Sequence, residues 1–330
     1  MKKGLVLPAL IVLFAVIVPS SVLAECVSTG FVRDNLNLTA ALINPAGAVT
    51  GEIDAAGCDI GVYYDQGTGL VTDAIIHGVR YFGIVVNGDV APVAVDVADS
   101  VISYIGDNPI NGSQHGVGIY YRALGSGSAT GKISGNRISN YQKGGIVANG
   151  PGTTVTVKGN TVNGLGPVPF IAQNGIQIGY GALATVTKNT VTANSYTGSS
   201  TVSGGITVVG GPYYGGAYTI GTQIVSNVVQ GNDIGVYISN WSAVGGAPEV
   251  ATNISVVNNT ISNGALSNNY YGVGYQAGIS VVGNKDKIIR NRIFGDGYDP
   301  QVYPSAWCYQ IDVADEYSPK AKVHANVLEP

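Results

Sequence analysis

Gly145-Ile146-Val147-Ala148, Gly175-Ile176-Gln177-Ile178, Gly205-Ile206-Thr207-Val208 and Gly235-Val236-Tyr237-Ile238 recur at thirty-residue intervals. Looser copies begin at Gly61, Gly83, Gly118 and Gly278, and Gln310-Ile311-Asp312-Val313 reads as a ninth with its glycine replaced. The first sharp copy continues through a Gly/Pro turn at Asn149-Gly150-Pro151-Gly152 into Thr154-Val155-Thr156-Val157, then Lys158-Gly159-Asn160, then Thr161-Val162-Asn163. Alternation within each strand puts Ile146 with Ala148, and Val155 with Val157, on one face, which must be the core. Strands this short cannot stand alone, so the repeat predicts a solenoid. Each strand pairs in parallel with its equivalents in the coils above and below, ~4.8 Å apart.

A second phrase closes each coil, an asparagine with a branched residue two positions later. It recurs at Asn136, Asn160, Asn189, Asn227, Asn259, Asn291 and Asn326. These asparagines are read as structural. Each is suited to a left-handed tight corner, and stacked corners allow a ladder of side-chain amides along the axis.

Composition agrees with a β fold. Forty-eight glycines accompany abundant Val, Ile, Thr and Tyr, types that fit a pleated surface, and 11% charged residues against 45% hydrophobic oppose disorder. The formal net charge is −4 and no Lys/Arg block follows Lys2-Lys3, so a nucleic-acid partner is not expected. Those two lysines, the apolar run from Leu5 to Val18 and the Val22-Leu23-Ala24 end read as a signal peptide over 1–24. The run is short for a membrane span, so a secreted chain with no span after signal removal is expected, extracellular or periplasmic. Three cysteines allow one intrachain bridge. Cys26–Cys58 is favoured because an exported chain meets oxidising conditions, with three free thiols as the alternative. Their spacing carries no metal signature, and no cofactor is expected.

The Gly-Ile-x-Val and Asn-x-Ile phrases resemble those of secreted right-handed parallel β-helix proteins, the pectin-lyase-like superfamily, over Gly51 to Leu328. The resemblance implies an all-β, right-handed parallel β-helix of about nine coils over 51–330, after a cap segment at 25–50. Within that cap, 35–44 is expected to form a short helix or an irregular segment. For the last coil, 295–304, a partner chain or nothing in this sequence could serve as cover. The resemblance also implies a ligand cleft along the Gly-Ile-x-Val sheet, walled by loops that lengthen over 106–116, 163–174, 192–204, 210–222, 239–252, 262–277 and 294–309. It names no reaction, since the superfamily holds lyases, hydrolases, esterases, tailspikes and adhesins.

With Ile and Val inward, the x residue and the one two further on face out. This gives a candidate binding face of Tyr63, Asp65, Asn87, Tyr120, Arg122, Asn149 and Gln177, with aromatic and polar groups concentrated in the first five coils. Tyrosine rings and paired amides suit a glycan or another cell-surface partner, and a non-catalytic binding protein is the first reading. Outward tyrosines also arise simply as cross-strand stacks. No second acid accompanies Asp65 for glycoside hydrolysis, the aspartate-rich polygalacturonase signature is absent, and Asp299-Pro300-Gln301 departs at the histidine from the run that alginate epimerases carry. The alternative is a polysaccharide lyase using His115, Arg122 and Lys143, the one reading in which calcium has a place. A structural or adhesin module is the third. The oligomeric state is left open.

Overall fold

The computed structural model describes residues 25–329; the signal peptide expected over 1–24 lies outside them. Two sheets wind around one core. The first carries the Gly-Ile-x-Val phrases on nine parallel strands, from Ile60–Tyr64, Phe82–Asn87 and Val117–Arg122 through Gly144–Asn149, Asn174–Gly179, Gly204–Gly210 and Ile234–Asn240 to Tyr275–Val282 and Trp307–Asp312. The second takes the other two strands of each coil, as Thr153–Lys158 and Thr161–Val168 follow Gly144–Asn149. Equivalent positions stack in register, Ile146 on Ile119 and Ile176, and Val155 on Gly131 and Ala184. Except in the last coil, the inner alternates of both sheets are buried in one continuous core.

The asparagine ladder runs without a gap from Asn136 to Asn326. At each step one backbone N–H and one side-chain Nδ2 donate to the next Oδ1, at 2.9–3.0 Å throughout. The second Nδ2 hydrogen goes to a strand carbonyl, such as Val157 O from Asn189. Left-handed backbone falls one residue earlier than expected, at Gly135, Gly159, Lys188, Ser226, Asn258, Arg290 and Ala325. Each asparagine is thereby free to turn its amide inward, where both ends are used. A shorter row the repeat did not announce joins Asn194 to Asn232 by backbone and side-chain donors, and Asn263 to the Asn232 carbonyl.

The glycine column is not the outer stripe that alternation suggests. A Cβ on Gly175 would lie 2.4 Å from Val191 Cγ1 and 2.6 Å from the Gly205 carbonyl oxygen. Gly118, Gly145, Gly205, Gly235 and Gly278 meet the branched residue of an asparagine-led strand in the same way, and Gly83 meets Ile102 of the equivalent Ser100-Val101-Ile102. The ladder register skips this position, pairing Gly144 with Asn174 and then Ile146 with Ile176. Close approach of the two sheets at one corner is therefore what demands glycine there.

The cap differs from expectation. Val27–Arg33 and Leu36–Ile43 form an antiparallel hairpin, and Leu36–Ile43 joins the first sheet in parallel beside Ile60–Tyr64. Its turn pairs Arg33 with Leu36 and holds Asp34 at φ 52° and Asn35 at φ 61°, the two left-handed residues of a tight hairpin. A disulfide joins Cys26 to Cys58, with Cα atoms 5.3 Å apart, and Cys308 is free and buried. At the other end, 295–304 packs beside the coils rather than beneath the last one: buried Tyr298 donates to the Asn232 carbonyl. The closing strands Lys322–His324 and Val327–Leu328 are exposed.

Candidate functional site: a trough along the first sheet

Alternation places Tyr63, Val85, Tyr120 and Val147 on the outer side of the first sheet, as expected. They are nonetheless covered. Phe31 of the hairpin lies over Tyr63 and Phe82, Phe82 stacks on Tyr120 at 5.1 Å, and the Arg122 guanidinium sits 4.9 Å from the Phe31 ring centre. Tyr63 is left 2% exposed and Tyr120 4%. This outer cluster, with Leu38, Ala40 and Ile60, is a small second core. The aromatic face expected over the first five coils is thus mostly closed.

Beside and beyond the hairpin, four cavities of 530, 630, 360 and 660 Å³ follow one another along the sheet. Neighbours share lining residues: Arg122 between the first and second, Lys143, Gln177 and Tyr214 between the second and third, and Tyr214 and Tyr237 between the third and fourth. They form one trough.

The first cavity holds Tyr63, Asp65, Asn87 and Arg122. Asn87 Nδ2 donates to the Tyr63 hydroxyl at 2.9 Å, and Asp65 exchanges two hydrogen bonds with Asn44. Asp89 is the second acid that sequence did not place beside Asp65, and it is bound to Arg122 at 2.6 Å. Tyr120, Arg122, Asn149 and Gln177 line the second cavity, and Asn174, Gln177 and Asn149 form a chain of amides across two adjacent strands. Every candidate binding residue therefore borders the trough, Tyr63 and Tyr120 by their covered edges.

The three lyase candidates part company. Arg122 and Lys143 both line the second cavity, whereas His115 does not. Its ring stacks on Tyr81 at 4.2 Å, buried, with Nε2 3.0 Å from Asp107 Oδ2. Burial opposes ionisation of Asp107, yet hydrogen bonds from Arg80, His115 and Asn111 outweigh it and hold the carboxyl well below its usual range. The Lys143 ammonium donates to the Ala172 carbonyl at 2.8 Å, and burial pulls its pKa down to about 8. Gln142 and Gln173 clamp the 106–116 and 163–174 loops from buried positions. Among the described residues no three His, Cys, Asp or Glu side chains gather as a metal-binding group.

Most of the aromatic rings that reach the trough's surface lie in the later coils, with Tyr213, Tyr214 and Tyr317 exposed and Tyr237, Trp241, Tyr270 and Tyr275 half-buried. The fourth cavity is lined by Tyr213, Tyr214, Tyr237, Trp241, Tyr270, Tyr275 and Tyr317, with Ser280 and Asp312. Ser239 Oγ accepts from Trp241 Nε1 and bonds the Tyr214 hydroxyl, both at 2.9 Å, while Tyr213 and Tyr317 pack against the Trp241 ring. Burial pushes the Tyr237 hydroxyl up to about 12, so it remains a neutral hydrogen-bonding group. Tyr275 donates a short hydrogen bond to Asp312. Most of these rings come from the long loops at 210–222, 239–252 and 262–277; the Tyr-Tyr pairs at 213–214 and 270–271 were the signal available in sequence.

Residues 51–214 match the family described as the right-handed beta helix region. The fold of this chain is a right-handed parallel β-helix. Its fold is similar to that of the Dettilon tailspike protein, with a TM-score of 0.50 and 15% identity over 88% of this chain and 54% of that one. This β-helix therefore spans about half the length of the tailspike. A C387A mutant of DFA-IIIase from Arthrobacter chlorophenolicus A6 aligns with a TM-score of 0.39 and 12% identity, over 88% of this chain and 68% of that one. At such identities the likeness is one of fold. No curated protein matches the chain.

Proposed function

We propose that this β-helix is an exported, non-catalytic glycan-binding protein whose ligand lies lengthwise in the trough, stacked on the aromatic shelf of the later coils. The observation that carries this reading is the 660 Å³ cavity, walled by six tyrosines and Trp241 and supplied with hydroxyls from Ser280 and the ring edges. A pyranose presents apolar C–H faces and a rim of hydroxyls, and rings bearing polar tips match both. The amide chain of Asn174, Gln177 and Asn149 extends the same chemistry towards the first coils. Export is supported by the basic and apolar start of the sequence and by the Cys26–Cys58 bridge.

A glycan array, with the bound fraction then assayed for cleavage products, tests the proposal. Trp241→Ala is expected to lower affinity at least tenfold, because truncating one stacking platform removes roughly 1.5–3 kcal/mol of binding. Tyr63→Phe, which deletes a hydroxyl beneath the hairpin, is expected to leave affinity unchanged. Equal binding by wild type and Trp241→Ala would refute the shelf.

The polysaccharide-lyase reading keeps one specific support. Lys143, with its depressed pKa, and Arg122 share a cavity, as a base and a charge stabiliser would. Ultraviolet absorbance from unsaturated sugar products, abolished in Lys143→Met, would favour it over simple binding; calcium would be its cofactor.

A further inference from the structure

The charge in the second cavity is unbalanced, and the imbalance has a single source. Three cations line it, Arg33, Arg122 and Lys143. Arg122 is neutralised by Asp89 at 2.6 Å, and Arg33 has Asp34 at 4.0 Å. Lys143 faces this cavity and the next, and neither is lined by an Asp, Glu or His. Among the described residues no carboxylate lies within ion-pair distance of its Nζ. One of its three hydrogens goes to the Ala172 carbonyl, which leaves two donors for the trough. A half-buried ammonium with no counter-charge is costly unless something supplies one. Gln114 and Gln177 line both of these cavities with it, neutral side chains that can contribute to the shell of a bound oxyanion without competing for the lysine.

We infer that Lys143 is the seat of an anion subsite, which takes a carboxylate or sulfate substituent of the glycan while neutral sugars occupy the aromatic shelf. This rests on the glycan reading above and adds the class of ligand: an acidic rather than a neutral polysaccharide. The asymmetry along the trough supports it, since the uncompensated cation lies in the middle coils and the stacking rings lie in the later ones. The subsite also has a pH signature. Burial holds the lysine near 8, so the seat is charged below that value and empties as pH rises through it. A bound anion stabilises the charged form and moves the titration upward.

Two measurements test the inference. In the first, the Lys143 side chain of the full chain is titrated by NMR with glucuronate, inorganic sulfate or glucose. Glucuronate or sulfate is expected to raise its pKa, and glucose to leave it unmoved. A response to both anions makes the shared oxyanion chemistry the determinant, and a response to glucuronate alone makes it the carboxylate. No response to either overturns the subsite. In the second, a glycan array carries matched pairs, each acidic glycan beside its carboxyl-reduced neutral counterpart. Lys143→Met is expected to lose tenfold or more of its affinity for the acidic members and to keep the neutral ones, with Lys143→Arg retaining both. Wild-type protein that binds both members of each pair alike would overturn the subsite and leave glycan binding standing. Anion-dependent titration with no glycan of either kind bound would do the reverse.

Discussion

Burial acts on Asp286 more strongly than its hydrogen bonds do. Thr252 Oγ1 and the Ile254 N–H both donate to its Oδ1 at 2.7 Å, yet desolvation pushes the carboxyl up to about 6. A carboxyl raised by folding favours the protonated native state, so the sign is fixed: between its ordinary value and about 6 the folded chain holds the extra proton, and stability falls as pH rises through that window. Asp233, raised to about 6 by burial despite donors from Ser195, Ser203, Tyr196 and Ser267, has the same sign. Calorimetry is expected to show that Asp286→Asn gains Tm relative to wild type at pH 7, and that the gain shrinks as pH falls below about 6 and vanishes below the ordinary carboxyl value of 3.8. A difference independent of pH would contradict the assignment. At this scale sequence was a good guide to which way a side chain points and a poor one to what covers it. Period-two alternation put Tyr63 and Tyr120 on the outer side, but Tyr63 is covered by Phe31 and Tyr120 by Phe82, partners in other elements whose placement no local pattern encodes.

The coil corner is the element on which the solenoid depends. Asn189 accepts two hydrogen bonds from Asn160 and donates to Val157 and Asn227, so its amide serves three coils at once. Removing it leaves two buried donors on Asn160 without an acceptor, each costing about 1–3 kcal/mol. Asn189→Ala is therefore expected to destabilise the fold by roughly 3 kcal/mol or more in denaturant titration, while the exposed Lys188→Ala beside it stays within about 1 kcal/mol. Similar losses for the two would remove the ladder from the account. The recurrence of Asn-x-Ile made the ladder legible in advance, because a repeat superposes its own contacts. The glycine column was legible as a column and misread as to cause, since alternation alone cannot reveal that Val191 approaches Gly175 from the other sheet.

Across the whole molecule, the repeat period specified the number of face strands and their parallel order, and the variable loops marked the trough's walls. The cap was not legible in the same way. It departs from the repeat, and its Asp34-Asn35 turn is a hairpin signal only when both residues are left-handed. Folding that hairpin onto the first coils closes one end of the face and leaves the exposed rings to the later loops, which moves the binding surface away from Tyr63 and Tyr120 towards Trp241. Hydroxyl-radical footprinting with an array-positive glycan reads this most directly. Protection is expected at Tyr213, Trp241 and Tyr317, with none at Tyr104 or Leu183, which are exposed on the second sheet. Protection confined to the second sheet, or none at the shelf while the glycan is bound, would contradict the trough as the binding surface.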